Sequence, residues 1–225
     1  MSVLSFPTEW RTIPIGHRAV RLLCVSALER LVNGDALLRD DAAPEPPYWA
    51  HLWTGSRVLS RELAARGLRA GQRLLDVGCG LGLTALAAAQ LGARVYAFDL
   101  EAPALHLLRT SAAANNLQVW AWRGTLLQPA LRAAFDWITA AEITYDVRMQ
   151  AALVHLAEQA LAPSGRLLCT DSVRTHDEAW LQQCRRTGWV VDTRLVRDTE
   201  EGRTVWVRLT ELRRAPQRHT QCQEG

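Results

Sequence analysis

The chain has 225 residues, 48% hydrophobic and 22% charged, enough for one domain with a large buried core. Its formal net charge is only +3, and its 26 basic residues, all arginine, are spread along the sequence, so no nucleic-acid face is expected. Five scattered cysteines with no C-x-x-C pattern indicate neither a disulfide framework nor a zinc site, and with no lysine in the chain none can serve as a Schiff-base nucleophile or an internal methyl acceptor.

Taken in chain order, Thr12–Ile15 and His17–Cys24 read as a hairpin about Ile15-Gly16. Ser26–Val32 reads as a short helix and Asp40–Pro47 as a polar, proline-rich linker. Ser56–Ala65 has helical spacing through Val58, Leu59 and Leu63. From Gln72 onward strands alternate with helices. The strands fit Arg73–Val77, Arg94–Asp99, Gln118–Arg123, Phe135–Ala141 and Gly165–Asp171; the helices fit Leu83–Leu91, Ala102–Asn115, Val147–Leu161 and His176–Thr187. That alternation predicts an α/β doubly wound parallel sheet. Two strand-like runs, Trp189–Arg197 and Arg203–Leu212, close the pattern as a hairpin, and Ala215–Gly225 reads as a frayed tail. The longest charge-free run, Val77–Ala93, holds four glycines and is no membrane span, and the N-terminus lacks a signal-peptide pattern; a cytoplasmic protein is expected.

The segment Leu74-Leu75-Asp76-Val77-Gly78-Cys79-Gly80-Leu81-Gly82 joins a buried strand to an alanine-rich helix through three alternating glycines. Such a turn binds nucleotides, because glycine lets a ligand approach the backbone and the helix start presents free N–H groups. Leu83 stands where the dinucleotide fingerprint needs its last glycine. A carboxylate such as Asp76 about 5 Å from a phosphate charge would cost roughly 3 kcal/mol at an effective dielectric of 20. It would instead favour a cationic ligand, such as the ammonium of S-adenosylmethionine. Asp99 ends the next strand, where its carboxylate can accept bonds from both ribose hydroxyls; the plainer alternative is a helix cap. Cys79 is read as a small residue of the turn, and His51 and His106 as structural.

Asp76-Val77-Gly78-Cys79-Gly80-Leu81-Gly82 resembles the first motif of the seven-stranded, class I, S-adenosylmethionine-dependent methyltransferases. The resemblance implies a Rossmann-like doubly wound seven-stranded sheet whose C-terminal hairpin supplies an antiparallel strand. Residues 1–45 would form a small N-terminal extension, 46–214 the methyltransferase domain and 215–225 a flexible tail. Ala141-Glu142-Ile143-Thr144-Tyr145 is similar to the D-x-x-Y strand end of a group of protein-lysine methyltransferases. Glu142 stands at the aspartate, which sets the carboxylate one methylene, about 1.5 Å, further out. Pro47-Tyr48-Trp49-Ala50-His51-Leu52-Trp53 resembles the Pro-Tyr-Trp segment of the same group, and of the enzymes acting on the electron-transfer flavoprotein β subunit in particular.

Carried over residue by residue, the resemblance places Trp53, Asp76, Gly78, Cys79, Gly80, Gly82, Asp99, Trp122 and Ala141 at the cofactor. It places Tyr48 and Trp49 at the acceptor entrance, and Glu142 and Tyr145 at the chemistry, with no metal. A hydrophobic staple locking the N-terminal extension to the core is the alternative for the Tyr48–Trp53 aromatics, plain core packing for Trp122, and capping of the helix near Val147 for Glu142–Tyr145. Glu45-Pro46-Pro47-Tyr48 also looks like the (D/N)-P-P-Y motif of amide and base methyltransferases, but that motif belongs at the fourth strand end, which Glu142–Tyr145 already fills. The expected function is N-methylation of lysine on a protein partner, away from nucleic acid and membrane. A small-molecule N-methyltransferase and a non-catalytic cofactor-binding module are the alternatives.

Overall fold

The structure is a computed structural model that describes residues 6–28, 47–128, 131, 134–173, 178–200 and 202–215. Most of the expected helix over Ser26–Val32, of the Asp40–Pro47 linker and of the 215–225 tail lies outside the described residues.

Two strands, β1 (Thr8–Ile15) and β2 (Arg18–Val25), form an antiparallel hairpin turned at Gly16-His17. A 3-10 turn, Tyr48–Ala50, leads into α1 (Thr54–Ala65). Then follow β3 (Arg73–Val77), α2 (Leu83–Gln90), β4 (Arg94–Asp99), α3 (Ala102–Ala114), β5 (Val119–Arg123) and β6 (Phe135–Ala141). The chain continues as α4 (Val147–Ala160), β7 (Leu161–Ser172), α5 (Ala179–Arg186), β8 (Trp189–Glu200) and β9 (Arg203–Arg214).

The main sheet has seven strands in the order β5-β4-β3-β6-β7-β9-β8. Strands β3 to β7 are parallel, and β9 lies antiparallel to both β7 and β8. This is the doubly wound arrangement expected, with its C-terminal hairpin inserted beside β7. The strand order reverses between β3 and β6, and ligands of open α/β sheets lie beyond the strand ends at that crevice.

Strand β3 is buried on both faces through Leu74, Leu75 and Val77, as a central parallel strand must be. Helix α2 is apolar nearly all round because it is enclosed by the sheet, α1 and α3. The core divides into two layers. One holds Leu59, Leu63, Leu86 and Leu108 with the β1–β2 hairpin; the other holds Phe135, Ile138, Leu153 and Leu212 under α4 and α5. The hairpin is tied to α3 by hydrogen bonds from Leu23 N to Ser111 Oγ (2.9 Å) and from Arg21 N to Asn115 Oδ1 (2.9 Å). Helix α4 begins at Asp146, whose side chain accepts the Arg148 N–H, a cap worth about 1 kcal/mol.

Helix α1 fastens the last two strands to the rest. Arg57 and Arg61 meet Asp198 at 3.4 and 3.1 Å, and Thr54 Oγ1 donates to Glu200 Oε1 at 3.0 Å. Arg66 also pairs with Glu211 of β9. These bonds bring the tip of the β8–β9 hairpin against the start of α1, beside the switch-point crevice.

Candidate active site

Beyond β3 the chain turns through Gly78, Gly80 and Gly82, all with positive φ. The backbone closes on itself by Cys79 N–H to Phe98 O (3.1 Å) and Gly82 N–H to Cys79 O (2.8 Å). Gly80 N–H donates to Asp99 Oδ2 at 2.7 Å, and Glu101 N–H to Asp99 Oδ1 at 2.9 Å. Burial raises the Asp99 carboxyl above its ordinary range, and the N–H groups of Glu101, Gly80 and Leu100 oppose that rise. A carboxylate has about four acceptor sites, so the hydrogen bonds from Gly80 and Glu101 leave capacity for two hydroxyl donors from the cavity. The 3-10 turn crosses over this loop: a Cβ at Gly80 would lie 3.1 Å from the carbonyl oxygen of Trp49.

A cavity of about 560 Å³ opens between the glycine turn and the ends of β6 and β7. That volume falls within the roughly 300–1,000 Å³ of small-ligand sites. Gly78, Cys79, Gly80, Gly82 and Asp99 form one side; Ala141, Glu142 and Tyr145 form the other; and Tyr48, Trp49 and Trp53 close the front. Burial pushes the Cys79 thiol well above its usual range, so it holds no nucleophilic thiolate.

Two expected residues stand off the wall. Asp76 is only 2% exposed and accepts the Thr139 hydroxyl at 2.8 Å, its cross-strand partner on β6. Burial raises it to about 7, with the Thr139 hydroxyl and Ala85 N–H opposing. Its carboxylate thus joins β3, β6 and the start of α2 behind the turn. Trp122 tilts against Phe98 with centroids 5.6 Å apart and lies beside Gly124.

The front is an aromatic group. Tyr48 lies 6.3 Å from both Trp53 and Tyr145 (centroids), and His51 meets Trp53 edge-on at 4.6 Å. The Trp53 indole donates to the Tyr48 carbonyl at 2.9 Å, fixing the ring. Trp49 has both roles weighed for it: it lines the cavity and packs on Phe6 at 5.4 Å. Tyr145 is 61% exposed at the mouth.

The far end is acidic. Glu142 has a left-handed backbone, φ +55°, which for a residue with a Cβ costs roughly 1–2 kcal/mol. Its N–H donates to Thr170 O at 2.8 Å and its Oε2 accepts Ser172 N–H at 2.7 Å. Burial raises its carboxyl to about 7; Ser172 N–H opposes this, and the charges of Asp171 and Glu200 add to it. Gly55 of α1 makes room for this conformation. A Cβ there would lie 2.5 Å from Thr170 Oγ1 and 2.7 Å from Glu142 Oε1.

Several wall residues carry no motif, Ser56, Glu101, Asp171 and Ser172, and His51, read as structural, also lines the cavity. Asp171, at the end of β7, is 7% exposed, and burial raises it to about 6 against the opposing charge of Arg208 and the Thr144 N–H. Only its place at the end of a predicted strand could have singled it out. Among the described residues no group of His, Cys, Asp and Glu is arranged to hold a metal, and no helix is long and apolar enough to cross a membrane.

A glycine turn after the first sheet strand, an acid ending the second and a seven-stranded sheet with an antiparallel strand beside β7 define the class I S-adenosylmethionine-dependent methyltransferase fold. A family model described as a methyltransferase domain matches residues 48–218, and the chain belongs to that family. It is 36% identical over 108 residues to the ubiquinone biosynthesis O-methyltransferase of Xylella fastidiosa, covering 47% of this chain and 44% of that protein. It is 40% identical over 73 residues to the electron transfer flavoprotein β subunit lysine methyltransferase of Danio rerio, covering 32% and 28%. The chain thus spans less than half the length of these curated relatives. Magnesium protoporphyrin IX methyltransferase from Synechocystis, solved with bound S-adenosylmethionine, shares the fold at TM-score 0.58 and 21% identity, covering 70% of this chain and 77% of that one.

S-adenosylmethionine is the cofactor of this class, and the site suits it. The three glycines bring backbone, free of side chains, up to the cavity beside an Asp99 carboxylate with acceptor capacity to spare.

Proposed function

We propose that the protein methylates the side-chain amine of lysine on a protein substrate. The observation that carries this reading is the placing of Glu142, a carboxylate raised to about 7, on the cavity wall opposite the glycine turn and beside the exposed Tyr48 and Tyr145. A carboxylate beside aromatic rings suits a cationic alkylammonium acceptor, and an open rim suits one borne on a large partner.

When bound, S-adenosylmethionine supplies an electrophilic methyl group on a sulfonium that keeps the bonding pair as the methyl leaves. Asp99 is positioned to hold the ribose hydroxyls, and the Gly78–Gly82 backbone with Trp53 to hold the rest of the cofactor, with Ala141 at the β6 end. Asp76 supports the turn from behind, and Trp122 supports Phe98 on the Asp99 side. Glu142 draws in the ammonium and takes its proton, since only the neutral amine has a lone pair for attack. Tyr145 orients the amine, and Tyr48 and Trp49 line its approach and exclude water.

The test is transfer of labelled methyl from S-adenosylmethionine to a lysate of the encoding organism, followed by identification of labelled residues. Label on lysine that falls about 100-fold or more in Glu142→Gln supports the reading. Label confined to the small-molecule fraction overturns it in favour of a low-molecular-weight acceptor, the reading to which the similarity to ubiquinone O-methyltransferases points.

Gly55→Ala tests the support of Glu142. Alanine favours the helix by roughly 0.5–1 kcal/mol, yet its Cβ occupies the space of Glu142 Oε1 and Thr170 Oγ1. Transfer is expected to fall about 10-fold or more, with cofactor affinity measured by calorimetry within about twofold of wild type because Gly55 is off the cavity wall. Adding Glu142→Asp, which shortens the obstructed side chain, is expected to restore part of the rate.

A further inference from the structure

We propose that Asp171 is a second proton-accepting carboxylate of the acceptor end, acting with Glu142 as one pair. The inference rests on the amine-acceptor reading above and extends it to a residue that no motif marks.

The geometry is reciprocal. The end of β7 supplies Ser172 N–H to the Glu142 carboxylate at 2.7 Å, and the loop after β6 supplies Thr144 N–H to the Asp171 carboxylate. Glu142 N–H also donates to Thr170 O at 2.8 Å, so the glutamate spans Asp171 in sequence, bonded to the residue on either side. Each strand end thus holds the other's acid, and both acids line the same cavity.

The charged neighbours fix what such a pair does. Glu142 is faced by Asp171 from β7 and Glu200 from β8, while Glu200 itself lies 3.4 Å from His51 Nε2 and accepts from Thr54. Asp171 is faced by Arg208 from β9. Two adjacent carboxylates repel, so the pair gains by taking one proton and titrates as a unit. A bound ammonium supplies that proton. One N–H bond breaks, its electron pair stays on nitrogen, and the proton joins a carboxylate oxygen. The ammonium and the pair together carry −1 before and after, so no charge is created in the buried end. The proton then passes to solvent before the next turnover.

The experiment compares wild type, Glu142→Gln, Asp171→Asn and the double variant in the labelled lysate assay, with methyl-lysine as readout from pH 5.5 to 9. Asparagine keeps an acceptor for Thr144 N–H, so an Asp171 that serves only to accept that bond leaves the profile in place, while the double variant reports whether its carboxylate takes the proton. Loss of the Asp171 charge lowers the affinity of Glu142 for a proton, so the acid limb is expected to move down by about one unit. The double variant is expected to lose at least a further 10-fold over Glu142→Gln. An unmoved limb in Asp171→Asn, or a double variant no slower than Glu142→Gln, overturns the pair. If wild type labels no lysine, the amine reading has failed. Carbon-13 carboxyl titration of the same proteins then decides the pair alone: a Glu142 resonance that shifts its midpoint in Asp171→Asn upholds it, and one that does not rejects it.

Discussion

Gly82→Ala is expected to lower the unfolding free energy by about 3 kcal/mol, read by chemical denaturation, with the melting temperature falling by about 10 °C for a chain of this size. Two effects act at this residue. Its φ is +81°, a conformation costing a Cβ-bearing residue about 1–2 kcal/mol. The added Cβ would also lie 2.3 Å from Leu108 Cδ1, with Cγ and Cβ of the same side chain at 3.0 and 3.1 Å. Leu108 is fully buried in α3 and has nowhere to withdraw, so the clash must be relieved by backbone movement of the turn or of α3. Such overpacking costs typically 1–3 kcal/mol. Leu108→Ala in the same chain removes the two nearest obstructing atoms, Cδ1 and Cγ, so the double variant should be more stable than the sum of the single losses predicts. A Gly82→Ala protein within 1 kcal/mol of wild type would show that the turn does not press on α3.

Asp99→Ala is expected to weaken S-adenosylmethionine binding at least 100-fold, about 3 kcal/mol, by calorimetry. The substitution removes the acceptor for the Gly80 and Glu101 N–H groups and, with it, a wall carboxylate suited to two hydroxyls. Orphaning a buried donor costs about 1–3 kcal/mol, so slackening of the turn alone accounts for part of the loss. Asp99→Asn separates the contributions: it keeps one carbonyl acceptor and should lose about 10-fold. The ionised form is the one that accepts hydroxyl donors. Because burial raises the folded-state pKa of Asp99, affinity should decline on acidification at a higher pH than for an exposed aspartate. Binding within threefold of wild type in Asp99→Ala would reduce Asp99 to a brace for Glu101.

How far the sequence disclosed this molecule depended on where each signal lies. Strands β3, β4 and β6 match their predicted bounds because they are short apolar runs ended by an acid or a turn. Strand β7 begins at Leu161 rather than Gly165, since Pro163-Ser164-Gly165 reads as a loop while the backbone pairs through a register shift opposite Phe135–Trp137. The glycine turn and Asp99 were legible because their role follows from local backbone chemistry. Asp76 was legible as an acid at a strand end but not in its direction, which Thr139, 63 residues away, decides. Gly55 was invisible for the same reason: a glycine in a helix means nothing until Glu142 and Thr170 are seen against it. Asp171 is likewise an acid at a strand end with no spacing rule attached.

The clamp between α1 and the β8–β9 hairpin sets the order in which the molecule can be assembled. Thr54 and Glu200 are 146 residues apart in the chain, and Arg57 and Asp198 are 141. At about 5–20 residues per second of synthesis, α1 emerges roughly seven to thirty seconds before its partners exist. The turn, β3, β4 and β5 can pair meanwhile, because the β3–β4 and β4–β5 ladders are complete by residue 123, while the other edge of β3 waits for β6. The cofactor half is therefore a nascent structure, while the acidic half is finished only by the final strands. Until then the face of α1 destined for β7–β9 has no partner, and a chain cut anywhere within β8 or β9 would expose it to degradation.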